Sequence, residues 1–133
     1  MKDKCPEKMY IHKNELEYSA FIPIPIELIK EEEFRSVSIP AKLLYGFLLS
    51  RTYISNKNEM LDENGRVFVY MTLEEVRETL NVSLSEAKNL FRELTNVGGS
   101  GIGLIKKERI YGKPSQIFLF KLNEVRKMLN KGK

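Results

Sequence analysis

The sequence of 133 residues is 42% hydrophobic and 30% charged, which suits one domain with a modest core and argues against intrinsic disorder. Cys5 is the only cysteine and His12 the only histidine, so an internal disulfide is excluded, and zinc, haem and Ser/His or Cys/His catalytic sites are disfavoured. The most apolar helical stretch covers only residues 43–50, far short of the ~20 residues of a membrane span, and residues 1–6 lack the apolar centre of a secretory signal. We therefore expect a cytoplasmic protein with no metal, no cofactor and no membrane partner.

The net charge of +4 is unevenly distributed along the chain. Residues 99–133 carry a net charge of +7, whereas residues 1–98 carry −3. A basic end on a neutral-to-acidic body is typical of a surface that binds a polyanion. A solvated basic tail would explain the last dozen residues equally well, but it fits the cations between Lys106 and Lys113 less well, because they lie among apolar strand residues.

The first third of the chain predicts an arm followed by a core helix. Residues 1–17 mix charges without periodicity, which predicts a flexible N-terminal arm, and the prolines within residues 18–25 favour extended chain. A helical turn around Leu28 then leads to an acidic run at residues 31–33, which we expect to be a solvated face. Ser38 is predicted to cap a central helix. The predicted buried face of this helix comprises Leu43, Leu44, Phe47, Leu48 and Ile54.

A turn at residues 62–65 and a short β run at residues 67–71 lead into two short helices. Thr72 and Ser83 each begin a capping-box pattern, in which the hydroxyl and a glutamate three residues later satisfy free backbone N–H groups. The break between the two helices, at Asn81 and Val82, is tight, and two capped helices so joined are typical of a helix-turn-helix. The second helix is predicted to bury Leu84, Ala87, Leu90, Phe91, Leu94 and Val97.

The remaining residues predict a β-hairpin and a last helix. A flexible glycine-rich link at residues 98–103 precedes a strand at 103–110, a turn at 111–114 and a second strand at 115–122. Asn123 is then predicted to cap a basic helix that ends near residue 130. The fold class is therefore mostly α with a β-hairpin wing (α+β), a winged helix-turn-helix. The predicted division is a flexible arm at 1–17, a winged-helix DNA-binding domain at 18–122 and a basic C-terminal helix or tail at 123–133.

Two groups of polar side chains are candidates for contacts with DNA. The second helix exposes one polar face, which suits base edges and phosphates in a major groove, although Glu86 and Glu93 flank it. The candidate residues of this recognition helix are Ser83, Ser85, Lys88, Asn89 and Arg92, with Asn96 at the end of the same face. The candidate residues of the wing, for phosphates or a minor groove, are Lys106, Lys107, Arg109 and Lys113. The alternatives are an ordinary solvated helix face and a cationic edge strand that opposes aggregation.

Catalytic patterns are weak, so we expect no catalytic residues and no enzymatic activity. The acidic pairs at residues 62–63 and 74–75 lie at a turn and at a helix start, where capping and the helix dipole explain them. The glycines at 98–103 lack both the lysine and the strand-before, helix-after context of a phosphate-binding loop.

Several motifs resemble the N-terminal domain of replication initiator protein A (RepA) of Gram-positive plasmids and mobile elements. They are FIPIP at residues 21–25, AKLLYGFLLSR at 41–51, Ser55, Asn58, DENGRVFV at 62–69 and the turn Gly112-Lys113-Pro114, so that the resemblance covers about residues 18–122. It implies a winged-helix domain that binds repeated sites at a replication origin, usually as a homodimer. In this context Arg51 is expected to tie the central helix to the Asp62 turn. The glycine-rich link is longer than the usual helix-to-wing join of the family, and Met60 stands where the family often has tryptophan.

Full-length members of that family carry a further C-terminal domain linked to host replication proteins, which this sequence does not supply. The resemblance and the predicted winged helix together predict sequence-specific binding of double-stranded DNA at a plasmid or mobile-element replication origin. Two alternatives stay open from the residues alone. One is a winged-helix transcriptional regulator, which differs only in its target, and the other is a winged-helix module that binds a protein through the same surface.

Overall fold

The structure, a computed structural model, describes residues 5–15 and 20–131. In this part of the chain the α-helices and strands are α1 (Ile26–Lys30), α2 (Ile39–Lys57), α3 (Leu73–Leu80), α4 (Leu84–Thr95), β1 (Ile105–Ile110), β2 (Lys113–Leu119) and α5 (Leu122–Lys131). Three short 3-10 turns lie at Glu7–Met9, Glu32–Phe34 and Val97–Gly99. Among the described residues, no helix combines the length and the apolar character needed to traverse a bilayer.

Residues 20–25, which precede α1, pack on α2. Residues 20–25 form no regular element, and α1 follows them where the helical turn was predicted. A Cβ atom on Gly46 of α2 would lie 3.0 Å from side-chain atoms of both Ile22 and Ile24, so the extended segment rests directly on this glycine. Residues 5–15 of the predicted arm are exposed, and its other residues lie outside the described part. The predicted domain boundaries at residues 17 and 122 stay predictions.

Ser38 begins α2 as predicted, because its Oγ atom accepts a hydrogen bond from the Ala41 N–H at 3.3 Å. The predicted core face is correct for Leu44 and Leu48, which are fully buried, and Phe47 is half-buried. It is wrong for Leu43 and Ile54, which are 37% and 59% exposed. The buried residues 41, 44, 45 and 48 lie on one side of α2, and at ~100° per residue Leu43 and Ile54 lie more than ~100° around the helix from the centre of that side.

The turn at residues 62–65 forms as predicted, but the β run after it does not become a strand. The Asp62 carboxylate accepts hydrogen bonds from the N–H groups of Asn64 and Arg66, at 2.9 and 2.8 Å. Residues 67–71 make only two isolated bridges, Leu61 with Val67 and Val69 with Ile117. The run therefore contacts two different segments at single positions and forms a ladder with neither.

α3 and α4 form the predicted helix-turn-helix. At Thr72 both bonds of the capping box are present, and Asn81 ends α3 with a left-handed φ of 56°. Ser83 caps α4 by accepting from the Glu86 N–H at 3.1 Å, but the Glu86 side chain makes no return bond within the described residues, so the second predicted capping box forms only in part. The inward face of α4 is as predicted except for Leu84, which is 42% exposed because it is the first residue of the helix, ahead of the part that reaches the core. The buried residues are Ala87, Leu90, Phe91 and Leu94, followed by Val97.

β1 and β2 pair antiparallel in the register Ile105 with Leu119 to Ile110 with Lys113, with an irregularity between Glu108 and Ile110. The turn has two residues, Tyr111 and Gly112, so β2 begins earlier and ends earlier than predicted. Hydrogen bonds fasten the link that was predicted to be flexible: the Leu104 N–H donates to the Leu94 carbonyl at 2.7 Å, and the Gly101 N–H donates to the Asn96 side chain at 2.7 Å.

α5 begins at Leu122, so Asn123 lies in its first turn instead of capping it. Val125 joins the core, and Arg126 reaches back across the molecule to the acidic run at residues 31–33. It forms ion pairs with Glu31 at 3.1 Å and Glu33 at 3.6 Å. The prediction that this run is a solvated face is therefore wrong for Glu31 and Glu33, because folding places a cation from α5 beside them.

Candidate nucleic-acid interface

The polar face of α4 is exposed along its whole length. Leu90, Phe91 and Leu94 bury the opposite face of the helix, which fixes the side that is presented to solvent. The exposed positions include every predicted recognition-helix residue, namely Ser83, Ser85, Lys88, Asn89 and Arg92, together with Asn96. The Arg92 guanidinium donates to the Asn89 amide oxygen at 3.1 Å, so these two side chains are already aligned with each other.

Glu93 does not border this face as a free acidic group. Its two carboxylate oxygens accept hydrogen bonds from the Ser38 backbone N–H and from the Ser38 hydroxyl, both at 2.8 Å. The negative charge thus lies at the N-terminus of α2, where the helix dipole favours it. Sequence reasoning missed this contact, since the two residues are 55 positions apart and no local pattern connects them.

The four predicted wing cations do not share one surface. Strand alternation puts Lys106 and Lys107 on opposite faces of β1, and the irregularity between Glu108 and Ile110 interrupts this alternation at Arg109. Lys106 forms an ion pair with Glu108 at 3.1 Å, while Lys113 begins β2 beside the turn. Within the described residues, no carboxylate forms an ion pair with Lys107, Arg109 or Lys113. The charge of Lys106 is partly neutralised by Glu108.

Lys107 connects the wing to α4. Its ammonium group lies 4.5 Å from the centre of the Phe91 ring in α4, within the range of a cation–π contact. Burial lowers the pKa of Lys107, and the nearby charge of Arg109 lowers this pKa further. The ammonium group of Lys107 and the guanidinium group of Arg109 therefore lie close enough for their charges to repel.

Arg51 positions α3 relative to α2, instead of contacting the Asp62 turn as expected. Its guanidinium donates to the Tyr70 carbonyl at 2.6 Å and to the Glu75 carboxylate at 2.5 Å. The hydrogen bond from Arg51 is the main reason that the pKa of Glu75 lies below its ordinary value, and the Thr72 N–H lowers it further. Asp62 instead lies 3.8 Å from Arg66.

Two other features of the described residues lie apart from the candidate residues of α4 and the wing. An open, largely apolar groove of about 740 Å³ lies between β2 and α5, with Phe118, Phe120 and Met128 among its lining residues. In the N-terminal segment, His12 contacts Glu7 and Glu15, each at 2.9 Å. No group of three His, Cys, Asp or Glu side chains in residues 5–15 and 20–131 could hold a metal ion.

Comparison with known proteins identifies relatives in sequence and in fold. A family model described as "Replication initiator protein A (RepA) N-terminus" matches residues 20–131. A solved structure described as "N-Terminal domain of DNA binding protein" superimposes with a TM-score of 0.62 at 23% identity, over 84% of this chain and 88% of that chain. A second, "Structure of Rep-DNA complex", gives 0.61 at 23% identity over 84% and 88%. A third, "Structure of MDR initiator", gives 0.60 at 22% identity over 82% and 88%. No curated protein matches the sequence. The shared fold confirms the α+β winged helix-turn-helix.

Proposed function

This chain belongs to the family of the replication initiator protein A (RepA) N-terminus, and from that membership we propose that it binds double-stranded DNA at the replication origin of a plasmid or mobile element. The observation that carries the proposal is the exposed polar face of α4 beside Lys107 and Arg109 of the wing. One of the similar solved structures is a Rep–DNA complex, which supports DNA as the ligand. The proposal includes no catalytic step.

The mode of binding follows from the chemistry of the two surfaces. α4 enters the major groove, where Lys88 and Arg92 pair with guanine acceptors and Asn89 pairs with adenine. Ser83 and Ser85, at the start of the helix, bind phosphate or base edges. The cations of the wing bind backbone phosphates, which adds affinity for all sequences alike and makes binding dependent on salt.

A homodimer would place two α4 helices on half-sites about one helical turn apart, ~34 Å along the duplex. We propose this assembly because the family resemblance implies repeated sites, and sedimentation of the chain with one-site and two-site duplexes measures it. Host replication proteins are proposed as further partners on the family resemblance alone.

The test begins by selecting duplexes from a random-sequence library with the unaltered chain, followed by fluorescence anisotropy of the selected site and a scrambled duplex at ~50 and ~200 mM salt. We expect tight, salt-dependent binding that prefers the selected site, and we expect this site to recur as repeats in the replicon that encodes the chain. A selected site that occurs once, at a promoter, would indicate a transcriptional regulator. No binding at low salt would reject the DNA proposal in favour of a protein-interaction module.

Two substitutions separate the roles of helix and wing. Arg92→Ala is expected to weaken binding to the selected site by ~1–3 kcal/mol and to blur sequence preference. Lys107→Ala is expected to weaken binding to all sequences alike and to lower the salt slope by ~1. Lys127→Ala is the matched control, because Lys127 is an exposed cation on α5 that pairs with Glu124. If neither Arg92 nor Lys107 changed affinity more than the control, the docking would be wrong.

A further inference from the structure

The tip of the wing presents an aromatic ring directly to solvent. Tyr111 is 104% exposed relative to an extended reference, and no ring contact or hydrogen bond of its side chain is recorded within the described residues. Only the second turn position requires a special residue, since Gly112 has a φ of 75° and the turn places no such demand on residue 111. The fold therefore does not explain why a large aromatic side chain stands at this position.

The charges around the tip favour an anionic surface. Arg109 precedes Tyr111 by two residues, Lys113 follows it by two, and all three side chains are exposed. No acidic residue occurs between residues 109 and 115. A flat, partly apolar ring between two cations matches a DNA groove, where sugars and base edges lie between two lines of phosphates.

The length of the hairpin suits the distance between neighbouring grooves. Lys107 contacts Phe91 of α4, and the four residues from Lys107 to Tyr111 extend the strand by ~13 Å at ~3.3 Å per residue. The helix itself has a radius of about 5–6 Å. With α4 in the major groove, the centre of the adjacent minor groove lies half a helical turn away, at ~17 Å. The tip is therefore long enough to cross one phosphate backbone.

We propose that Tyr111 inserts its ring into the minor groove next to the major groove that α4 occupies, while Arg109 and Lys113 hold the phosphates on either side. This inference rests on the proposed DNA-binding function and adds a second position of sequence preference. In the minor groove, only a G·C pair carries the guanine N2 amino group, which obstructs a ring that approaches the groove floor. The contact consequently favours A·T pairs half a turn from the site read by α4.

Inosine distinguishes this contact from a major-groove contact, because an I·C pair lacks the N2 amino group yet presents the major-groove pattern of G·C. The probes are three versions of the duplex selected by the unaltered chain, with A·T, G·C or I·C pairs at the flank that the tip reaches. The unaltered chain is expected to bind the A·T and I·C versions alike and the G·C version roughly tenfold more weakly. Tyr111→Ala is expected to bind all three equally, whereas Tyr111→Phe retains the preference.

Tryptophan fluorescence supplies an independent measurement, because the sequence contains no tryptophan. Tyr111→Trp places the only one at the tip, and Tyr53→Trp is the control at a 60% exposed position on α2. Binding of the selected duplex is expected to protect Trp fluorescence from acrylamide in the first variant only. DNA binding with equal quenching in both variants and no preference among the flanks would overturn the role of Tyr111 while leaving the proposed function intact. Absence of binding by the unaltered chain would overturn both.

Discussion

Removal of the Glu93 carboxylate tests whether α4 is held in place by its contact with the start of α2. The two hydrogen bonds to Ser38 are both 2.8 Å long and partly buried. A hydrogen bond to a charged group contributes about 1.5–3 kcal/mol, and truncation leaves the Ser38 N–H without its partner. We therefore expect Glu93→Ala to lower the free energy of unfolding by about 2–3 kcal/mol.

The assay is thermal unfolding followed by circular dichroism, with urea unfolding for the free energy. At ~2.1 cal/mol/K of unfolding entropy per residue, a loss of about 2 kcal/mol corresponds to a fall in Tm of about 7 °C. Glu93→Gln is expected to lose only about 1 kcal/mol, because the amide oxygen still accepts from the N–H and the amide nitrogen can donate to the hydroxyl. Glu86→Ala, which removes an exposed acid from the same helix, is expected to change Tm little.

A double-mutant cycle with Ser38→Ala isolates the pairwise contribution, since Ser38 also caps α2 and its loss alone has a separate effect. The coupling energy between Ser38 and Glu93 is expected to be about 1 kcal/mol. It reports only the bond from the Ser38 hydroxyl, because Ser38→Ala retains the backbone N–H that also donates to Glu93. Equal Tm values for Glu93→Ala and Glu86→Ala would show that the carboxylate does not hold α2 against α4 and would refute the reasoning. A coupling energy of zero would remove only the contribution of the Ser38 hydroxyl bond.

Three further substitutions test the remaining long-range contacts. Gly46→Ala is expected to destabilise the fold by about 1–3 kcal/mol in urea unfolding, despite the better helix propensity of alanine, because its Cβ would press on residues 20–25. Arg51 lowers the pKa of Glu75 in the folded state, so this pair stabilises the fold at neutral pH, and the stabilisation is lost as the pH falls through the lowered pKa. The difference in the free energy of unfolding between the unaltered chain and Arg51→Gln should therefore shrink below pH 4.5. Arg126→Ala should lower the urea midpoint by an amount equivalent to about 1–2 kcal/mol, because it removes both ion pairs. This decrease should be smaller at high salt, which screens the ion pairs in the unaltered chain.

Local patterns were sufficient to predict the helix-turn-helix and its exposed face. A hydroxyl with a glutamate three residues later satisfies backbone groups within one turn, so Thr72 and Ser83 could be assigned as caps from sequence alone. Helical periodicity then determines which side chains share a face, and the burial of Leu90 and Leu94 confirms the side that was predicted to point inward. The prediction failed at Leu84 because periodicity indicates the direction of a side chain but not where along the helix the core begins.

The contacts that orient these elements could not be predicted, because their partners are distant in sequence. Glu93 and Ser38 are 55 positions apart, and Arg126 and Glu31 are 95 positions apart. Three consecutive glutamates at residues 31–33 predict a solvated surface, because nothing in the local sequence indicates that folding places Arg126 of α5 beside them. The β run at residues 67–71 failed for the same reason, since a strand depends on a partner that its own residues do not specify.

The candidate DNA surface and the contacts that hold α4 in place consist largely of different side chains. The side chains that would read bases, such as Asn89 and Arg92, lie on an exposed face and contribute little to stability, so they can change with the target at small cost to the fold. The groups that position α4, such as Glu93 and Phe91, face the rest of the molecule and contribute to stability. Lys107 belongs to both sets, because it packs on Phe91 and is also one of the candidate DNA-binding cations of the wing. Substitutions there should therefore alter stability and affinity together, whereas substitutions at Arg92 should alter affinity alone.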